Sequence, residues 1–515
     1  MTDRPADIGP RRLPPSPLIY EINTWVWLAE LSDRIGCTGA SEPITLADVP
    51  DATWDAIAES GFDAVWLMGV WRRSAAGARI ARGDRALMES FAEAVGDLQS
   101  QDVVGSPYAV RDYTVDDHLG GPAGLVAARR ALADRGVALI LDYVPNHVAL
   151  DHPWVGTHPT WFIGGDRADL AADDASFTEI DGRVIAHGRD PYFPAWTDVA
   201  QLNAFDPDLR AATDAELSRI ATQCDGVRCD MAMLVMNEVF AWTWGNRAGP
   251  VPTDDFWPDI IASVRARHPG FVFIAEAYWG TECALIDQGF DHCYDKTLYD
   301  TLRDEPGTLA HRPNADDGDP HTGVRFIENH DEPRAPEAFG ERDRQAAVVI
   351  LTVPGARLIH HGQLTGRRRR LPVQLGRSPD EPVDGDRAVF YRALLGVVDD
   401  DAFRSGGQRW CDTRSAPALL AWTRGARRWL IVVNTAGTAT AGRIRPDWSD
   451  PDSDPDEAHP AGQPAPGTRL VDALSGQPLH ICGDGAVDVR LGPWGWLVLR
   501  LIDTDTDRAD VGWVP

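Results

Sequence analysis

Gly226-Val-Arg-Cys-Asp230 is the stretch on which the reading of the fold turns. It is short and β-prone, and it stops at a carboxylate. Arg228 stands two residues before that acid, so on a strand both side chains share one face. The same form recurs in Asp142-Tyr-Val-Pro-Asn-His147, Phe273-Ile-Ala-Glu276 and Phe326-Ile-Glu-Asn-His-Asp331. In a parallel α/β barrel the strand C-termini converge on one rim, where active sites are built. Segments far apart in sequence would then face one another across a single pocket.

Outward from these four, the chain from Leu18 alternates β-like runs with amphipathic stretches, the pattern of a parallel sheet wrapped by helices. Candidate strands are Leu18–Asn23, Asp63–Met68, Ala138–Val144, Gly226–Met231, Phe271–Ala277, His292–Tyr294, Val324–Ile327 and Arg357–His360. Eight is the number a closed barrel needs. Helical patterns fall between them, at Ala52–Ser60, Gly121–Arg135, Pro207–Gln223, Phe256–Arg267, Thr297–Ala310, Arg342–Thr352 and Asp386–Val398. Gly61 and Gly136 stand where helices should stop.

After the third strand, residues 148–206 are too long for an ordinary loop and predict an inserted subdomain walling the pocket. From residue 399 short strand-like runs follow one another: Leu419–Trp422, Arg428–Asn434, Arg469–Val471, Ala486–Leu491 and Trp496–Ile502. Ser449–Gly467, dense in Asp and Pro, reads as a surface loop, and Asp503–Pro515 as an acidic tail. The expected class is α/β. An N-terminal extension (1–17) leads into a (β/α)8 TIM barrel (18–398) with an inserted subdomain after strand 3, and a C-terminal antiparallel β-sandwich (399–515) follows.

Bulk properties narrow the function. A 43% hydrophobic content and 19 Trp over 515 residues argue for a folded globule. A net charge of −29 sets nucleic acid aside as a partner, since phosphate binding needs a basic face. Seven cysteines, odd in number and scattered, contain no C-x-x-C pair, so neither a disulfide framework nor a zinc site is expected. The first seventeen residues hold Arg4, Arg11, Arg12 and five Pro without an apolar core, which predicts no signal peptide. With no run of about 18 apolar residues, the expectation is a cytoplasmic protein without membrane contact. Nothing in the sequence sets the oligomeric state.

The strand-end residues suit glycoside chemistry. A retaining mechanism needs an ionised carboxylate as nucleophile and a protonated carboxyl as general acid, roughly 5–5.5 Å apart. Asp230 is the nucleophile candidate, with Arg228 favouring its ionised form. Glu276, between Ala275 and Ala277 and followed by Tyr278 and Trp279, has an apolar setting that raises a carboxyl pKa. It is the candidate acid/base. Asp331 is placed to bind sugar hydroxyls and to stabilise developing positive charge. His147 and His330 are candidates for hydrogen bonds to the sugar, and Asp142 for anchoring the rim. Tyr108, in the loop after the second strand, is a candidate to stack on the sugar ring. Asn146 is a candidate oxygen ligand for calcium; no other cofactor is expected. For Trp25, Trp27, Trp66, Trp71, Trp242 and Trp244, core packing is the expectation. For Arg367–Arg370 it is a solvated loop face.

These four segments, in their order and spacing, resemble the signature regions of the α-amylase superfamily, glycoside hydrolase family 13. Ala200-Gln-Leu-Asn203 resembles the family's fifth signature. The resemblance runs from about Leu18 onward. It implies that Asp230 is the nucleophile, Glu276 the general acid/base and Asp331 the transition-state stabiliser. Arg228, His147, His330 and Tyr108 would line the subsite where the bond is cut. The implied substrate is an α-glucan or α-glucosyl oligosaccharide, hydrolysed with retention. Asp151-His-Pro-Trp-Val155 and His158-Pro-Thr-Trp-Phe162 are similar to members that transfer maltosyl units from a sugar phosphate, so a transglycosylase is the alternative. A non-catalytic sugar-binding barrel is a third reading, disfavoured because all three acids are present.

Overall fold

Eight short, largely buried strands close on themselves in the computed structural model, which describes residues 11–36, 44–309, 319–413, 416–425, 428–446 and 468–502. They are β1 (Leu18–Asn23), β2 (Ala64–Met68), β3 (Ala138–Tyr143), β4 (Gly226–Cys229), β5 (Val272–Ala275), β6 (His292–Tyr294), β7 (Gly323–Arg325) and β8 (Ala356–His360). All pairings are parallel, and β8 returns to β1. One inward side chain from each strand meets on the barrel axis: Ile19, Trp66, Ile140, Arg228, Ile274, Tyr294, Val324 and Leu358. Seven of the eight are apolar or aromatic; the exception, Arg228, lies just below the rim.

Register fixes the height of the rim residues. Arg228 pairs with Asp142 of β3, and Cys229 pairs with Ala275 of β5. Asp230 and Glu276, each the next residue of its strand, therefore come out level. The expected helices form at Asp51–Glu59, Gly121–Asp134, Pro207–Ala221, Trp257–Arg267, Lys296–Asp304, Asp343–Thr352 and Gly385–Val398. Gly61 and Gly136 end the first two with φ of 81° and 85°, the left-handed region that favours glycine.

Three further helices lie on the rim: Thr24–Ile35, Ala75–Gly83 and Arg85–Val95. Each starts at a side-chain cap, where Asn23, Ser74 and Asp84 accept N–H groups of the first turn. Residues 147–201 form a small antiparallel sheet, with His147–Ala149 paired to Trp196–Gln201 and the latter to Arg183–Gly188. Its own core gathers Val148, Val155, Trp161, Phe162, Ile185 and Leu202.

Past the barrel, six antiparallel strands make one sheet, and Thr440–Ile444 with Val487–Leu491 make a ribbon that packs on it. The strands Leu419–Arg424 and Trp429–Asn434 are buried at every position, because the sheet is covered on both faces. Leu420, Trp422, Ile431 and Val433 join the barrel core, while Leu419, Ala421, Leu430 and Val432 pack under the ribbon. The expectations for Ser449–Gly467 and Asp503–Pro515 fall outside the described residues, as do residues 1–10 of the extension. Among the described residues no helix is long and apolar enough to cross a membrane.

Candidate active site

Arg228 organises the rim. Its guanidinium reaches Asp230 Oδ1 at 2.7 Å and Glu276 Oε2 at 2.9 Å, all three groups being buried. One cation thus holds two carboxylates within the span of a guanidinium. Burial pushes the Asp230 carboxyl above the ordinary range, with Arg228 opposing and the Asp331 and Asp142 charges adding. The sequence expectation had weighed only the Arg228 contribution.

Burial likewise pushes Glu276 up to about 7, although Arg228 pulls it down. Tyr278 donates its hydroxyl to Glu276 Oε1 at 2.8 Å, and the Met231 N–H donates to Oε2 at 2.6 Å. Met231 holds a φ of 42° to do so. That left-handed conformation costs an L residue about 1–2 kcal/mol. The strained turn after Asp230 therefore aims a backbone donor at its neighbouring acid.

Across the pocket, Asp331 keeps 44% of its side chain open to solvent. Partial desolvation works against its charge, but His330 Nε2 at 3.0 Å, together with Arg228, holds the carboxyl well below the usual range. His330 is buried, which alone would favour the neutral ring. The Asp331 and Glu21 carboxylates overcome this and raise it to about 10. Asp331 and Glu276 are thus driven in opposite directions, one toward the ionised and the other toward the protonated form.

His330 has protein partners at both nitrogens: Glu21 Oε1 at Nδ1 (2.5 Å), and the Tyr108 hydroxyl at Nε2 (2.8 Å) beside Asp331. The Tyr108 ring stacks on the His330 ring at 5.3 Å and lies under the Arg228 guanidinium. Glu21 was not singled out from the sequence. It is 0% exposed, and its Oε2 has no hydrogen-bond partner among the described residues. Its signal was an inward charge in the otherwise apolar strand β1.

Asp142 is closed off from the open pocket. Its oxygens accept from Trp66 Nε1 at 3.0 Å and from the Gly69 N–H at 2.7 Å, and burial raises it to about 6. It ties β3 to the turn after β2. His147 is buried against Trp196, and desolvation lowers it to about 3, leaving a neutral ring.

Asn146 forms a reciprocal amide pair with Gln201, whose Nε2 donates to Asn146 Oδ1 and to the Asn146 and Leu202 carbonyls, each at 2.9 Å. Gln201 Oε1 accepts from Asn146 Nδ2 at 3.2 Å. The Asn146 oxygen is engaged by a donor, and no carboxylate takes part in this set of bonds. A hard cation needs several oxygen ligands, so the residues present do not fit calcium. Among the described residues no group of three His, Cys, Asp or Glu is placed to hold a metal.

The tryptophans divide. Trp27, Trp66, Trp71 and Trp244 are buried, whereas Trp242 is 61% exposed, against the packing expectation. It sits in the last turn of the helix Asn237–Trp244, with the Tyr192 ring against it at 5.2 Å. Arg367 pairs with Glu30 at 2.7 Å instead of facing solvent, while residues 368–370 are exposed. A cavity of about 890 Å³ lies between Trp27, Glu30, Phe62 and His361, and none of the three acids lines it.

Comparison with known proteins bears on this site. No family model matches the chain. It is 28% identical over 288 residues to the α-amylase MalA of Haloarcula japonica, covering 52% of this chain and 38% of that protein. It is 27% identical over 224 residues to an α-1,4-glucan:maltose-1-phosphate maltosyltransferase of Bifidobacterium longum, covering 42% of this chain and 26% of that protein. The chain thus spans well under two thirds of either relative. The crystal structure of the maltogenic α-amylase AmyB from Thermotoga neapolitana shares its fold, with a TM-score of 0.63 at 18% identity over 95% of this chain and 99% of that one. Sequence likeness to α-amylases and maltosyltransferases and fold likeness to an α-amylase structure thus fall on the same group of proteins.

Proposed function

We propose that the protein is a retaining α-glycoside hydrolase acting on α-glucan or α-glucosyl oligosaccharides by double displacement. The observation that carries this is the single guanidinium of Arg228 gripping both Asp230 and Glu276 at the barrel rim. In the first step an Asp230 oxygen attacks the anomeric carbon while Glu276 gives its proton to the departing glycosidic oxygen. The products are a glycosyl ester on Asp230 and a free sugar hydroxyl. In the second step Glu276 takes a proton from water, which opens the ester and restores both carboxyls. Asp331, held ionised by His330, faces the cationic sugar of both transition states. Tyr108 offers its ring face to the sugar at the cleaved bond.

Interception of the same ester by a sugar hydroxyl would make the enzyme a transglycosylase. The likeness to a maltosyltransferase over 42% of the chain favours this as the second reading. The buried thiols Cys224, Cys229 and Cys293 suit a reducing compartment, which supports a cytoplasmic location. The test is product analysis with maltooligosaccharides, maltose and maltose 1-phosphate, comparing wild type with Asp230→Ala. Reducing-end release by wild type alone supports hydrolysis, and longer oligosaccharides support transfer. An untouched panel overturns both.

A further inference from the structure

Residues 367–370 are four consecutive arginines in a chain whose 78 Asp and Glu outnumber its 49 Lys and Arg. With acids in such excess an arginine readily finds a carboxylate, and Arg367 does so in Glu30. The next three do not. Arg368, Arg369 and Arg370 are exposed, and no side chain of the three forms an ion pair among the described residues. The acid beside them is turned to the backbone: Glu381 Oε2 accepts the Arg368 and Arg369 N–H groups at 2.9 and 3.3 Å.

The loop that carries them, after β8, is anchored on both sides. Upstream, Arg367 meets Glu30 at 2.7 Å. Downstream, Leu375 is buried, the Val104 N–H donates to the Gln374 carbonyl at 2.8 Å, and Arg377 meets Asp102 at 2.8 Å. Arg334 sets the position of the run. It follows Asp331 by three residues, is buried, and donates to Glu328 Oε1 at 2.7 Å and to the Arg369 carbonyl at 3.3 Å. The three guanidiniums therefore stand beside the segment after β7 that bears Asp331. Desolvation works against the Asp331 charge, and Arg370 joins His330 and Arg228 in sustaining it.

We infer that Arg368, Arg369 and Arg370 form a recognition site for a phosphate group beside Asp331, at the candidate active site. The inference rests on the proposed activity. Guanidinium forks match phosphate oxygens in geometry and charge, whereas a neutral glucan would use none of these three cations. Asp331 faces the cationic sugar, so a phosphate held next to it lies close to the anomeric carbon. It is either carried by a sugar 1-phosphate or supplied as inorganic phosphate, and these are two directions of one step. In one direction a phosphate oxygen attacks the anomeric carbon, the ester bond to Asp230 breaks, and Glu276 takes the phosphate proton. The products are a sugar 1-phosphate and a free Asp230 carboxylate. In the other direction Asp230 is loaded from the sugar 1-phosphate, and Glu276 gives the proton to the departing phosphate.

The experiment is calorimetric titration of the full chain carrying Asp230→Ala, which cannot form the ester, with maltose, maltose 1-phosphate and inorganic phosphate. A second protein adds Arg368→Gln, Arg369→Gln and Arg370→Gln, all at exposed positions. Maltose 1-phosphate is expected to bind more tightly than maltose and to lose about tenfold in affinity with the three substitutions, the order expected of three exposed charge pairs. The loss on maltose should be far smaller, and added salt should weaken only the phosphorylated ligand. Binding of inorganic phosphate alone, abolished by the substitutions, supports the site with free phosphate as its source. Equal affinities for the two sugars without binding of inorganic phosphate, or equal losses on every ligand, would overturn the site. Hydrolysis of maltopentaose by wild type would then leave the hydrolase reading intact. A wild type that binds phosphate but turns over neither glucan nor sugar phosphate would overturn the proposed activity and leave the site standing.

Discussion

Glu276 must hold a proton to act and is pushed up to about 7, so kcat/KM should fall as pH rises through about 7. Glu276→Gln should lower kcat about 10²- to 10⁴-fold and remove that alkaline limb on a substrate whose leaving group needs no proton. Stability follows the same group. Its folded value lies above its ordinary one, so its contribution is full below about 4.5 and lost as pH rises through about 7. The Tm of Glu276→Gln should therefore gain on wild type between pH of about 5 and 8. Glu21→Gln tests a positioning role: with one carboxylate removed, His330 holds its proton less firmly and Asp331 loses part of its cationic neighbour. A drop in kcat/KM of about tenfold, the equivalent of one pKa unit, with an acid limb moved to higher pH is expected. An unmoved pH profile would make Glu21 merely structural. At this scale the sequence showed Asp230, Glu276 and Asp331, because each ends a β-prone run. It hid Glu21, because a lone acid within a strand gives no hint of its partner hundreds of residues away.

Among elements, the junction of β3 with the inserted sheet depends on the amide pair Asn146–Gln201. Gln201 is 0% exposed, and removing it leaves buried polar groups without partners, at about 1–3 kcal/mol each. Gln201→Ala should therefore lower the Tm by several degrees, read by differential scanning fluorimetry. A chelator should leave the wild-type Tm where it is; a fall reversed by added calcium would show that a cation holds this junction. The eight barrel strands were legible to within a few residues, since short apolar runs bounded by Gly and acids have few other uses. The rim helices were not. Thr24–Ile35 follows β1 without a break, and only the Asn23 cap separates them. Thr440–Ile444 also escaped notice, because TAGRI carries little β signal and forms only against its partner Val487–Leu491.

For the whole molecule, the C-terminal sheet is part of the barrel's packing. Trp422, Ile431 and Val433 bury against barrel residues, and the buried Arg424 donates to the Thr352, Ala402 and Phe403 carbonyls at 3.0–3.2 Å. A chain ending at residue 400 would expose that apolar face and should aggregate on expression. A soluble fragment with a cooperative melt would contradict this. The order of barrel, insertion and sandwich was readable from changes in hydrophobic period, but the docking of one unit on another was not, since both faces of Leu419–Arg424 are apolar.

The central claim is that Asp230 and Glu276 cleave an α-glycosidic bond through a glycosyl ester on Asp230. Proton NMR of the first sugar released from a maltooligosaccharide, recorded before mutarotation, tests it most directly. The account predicts the α-anomer; a β-anomer appearing first would contradict double displacement at this site.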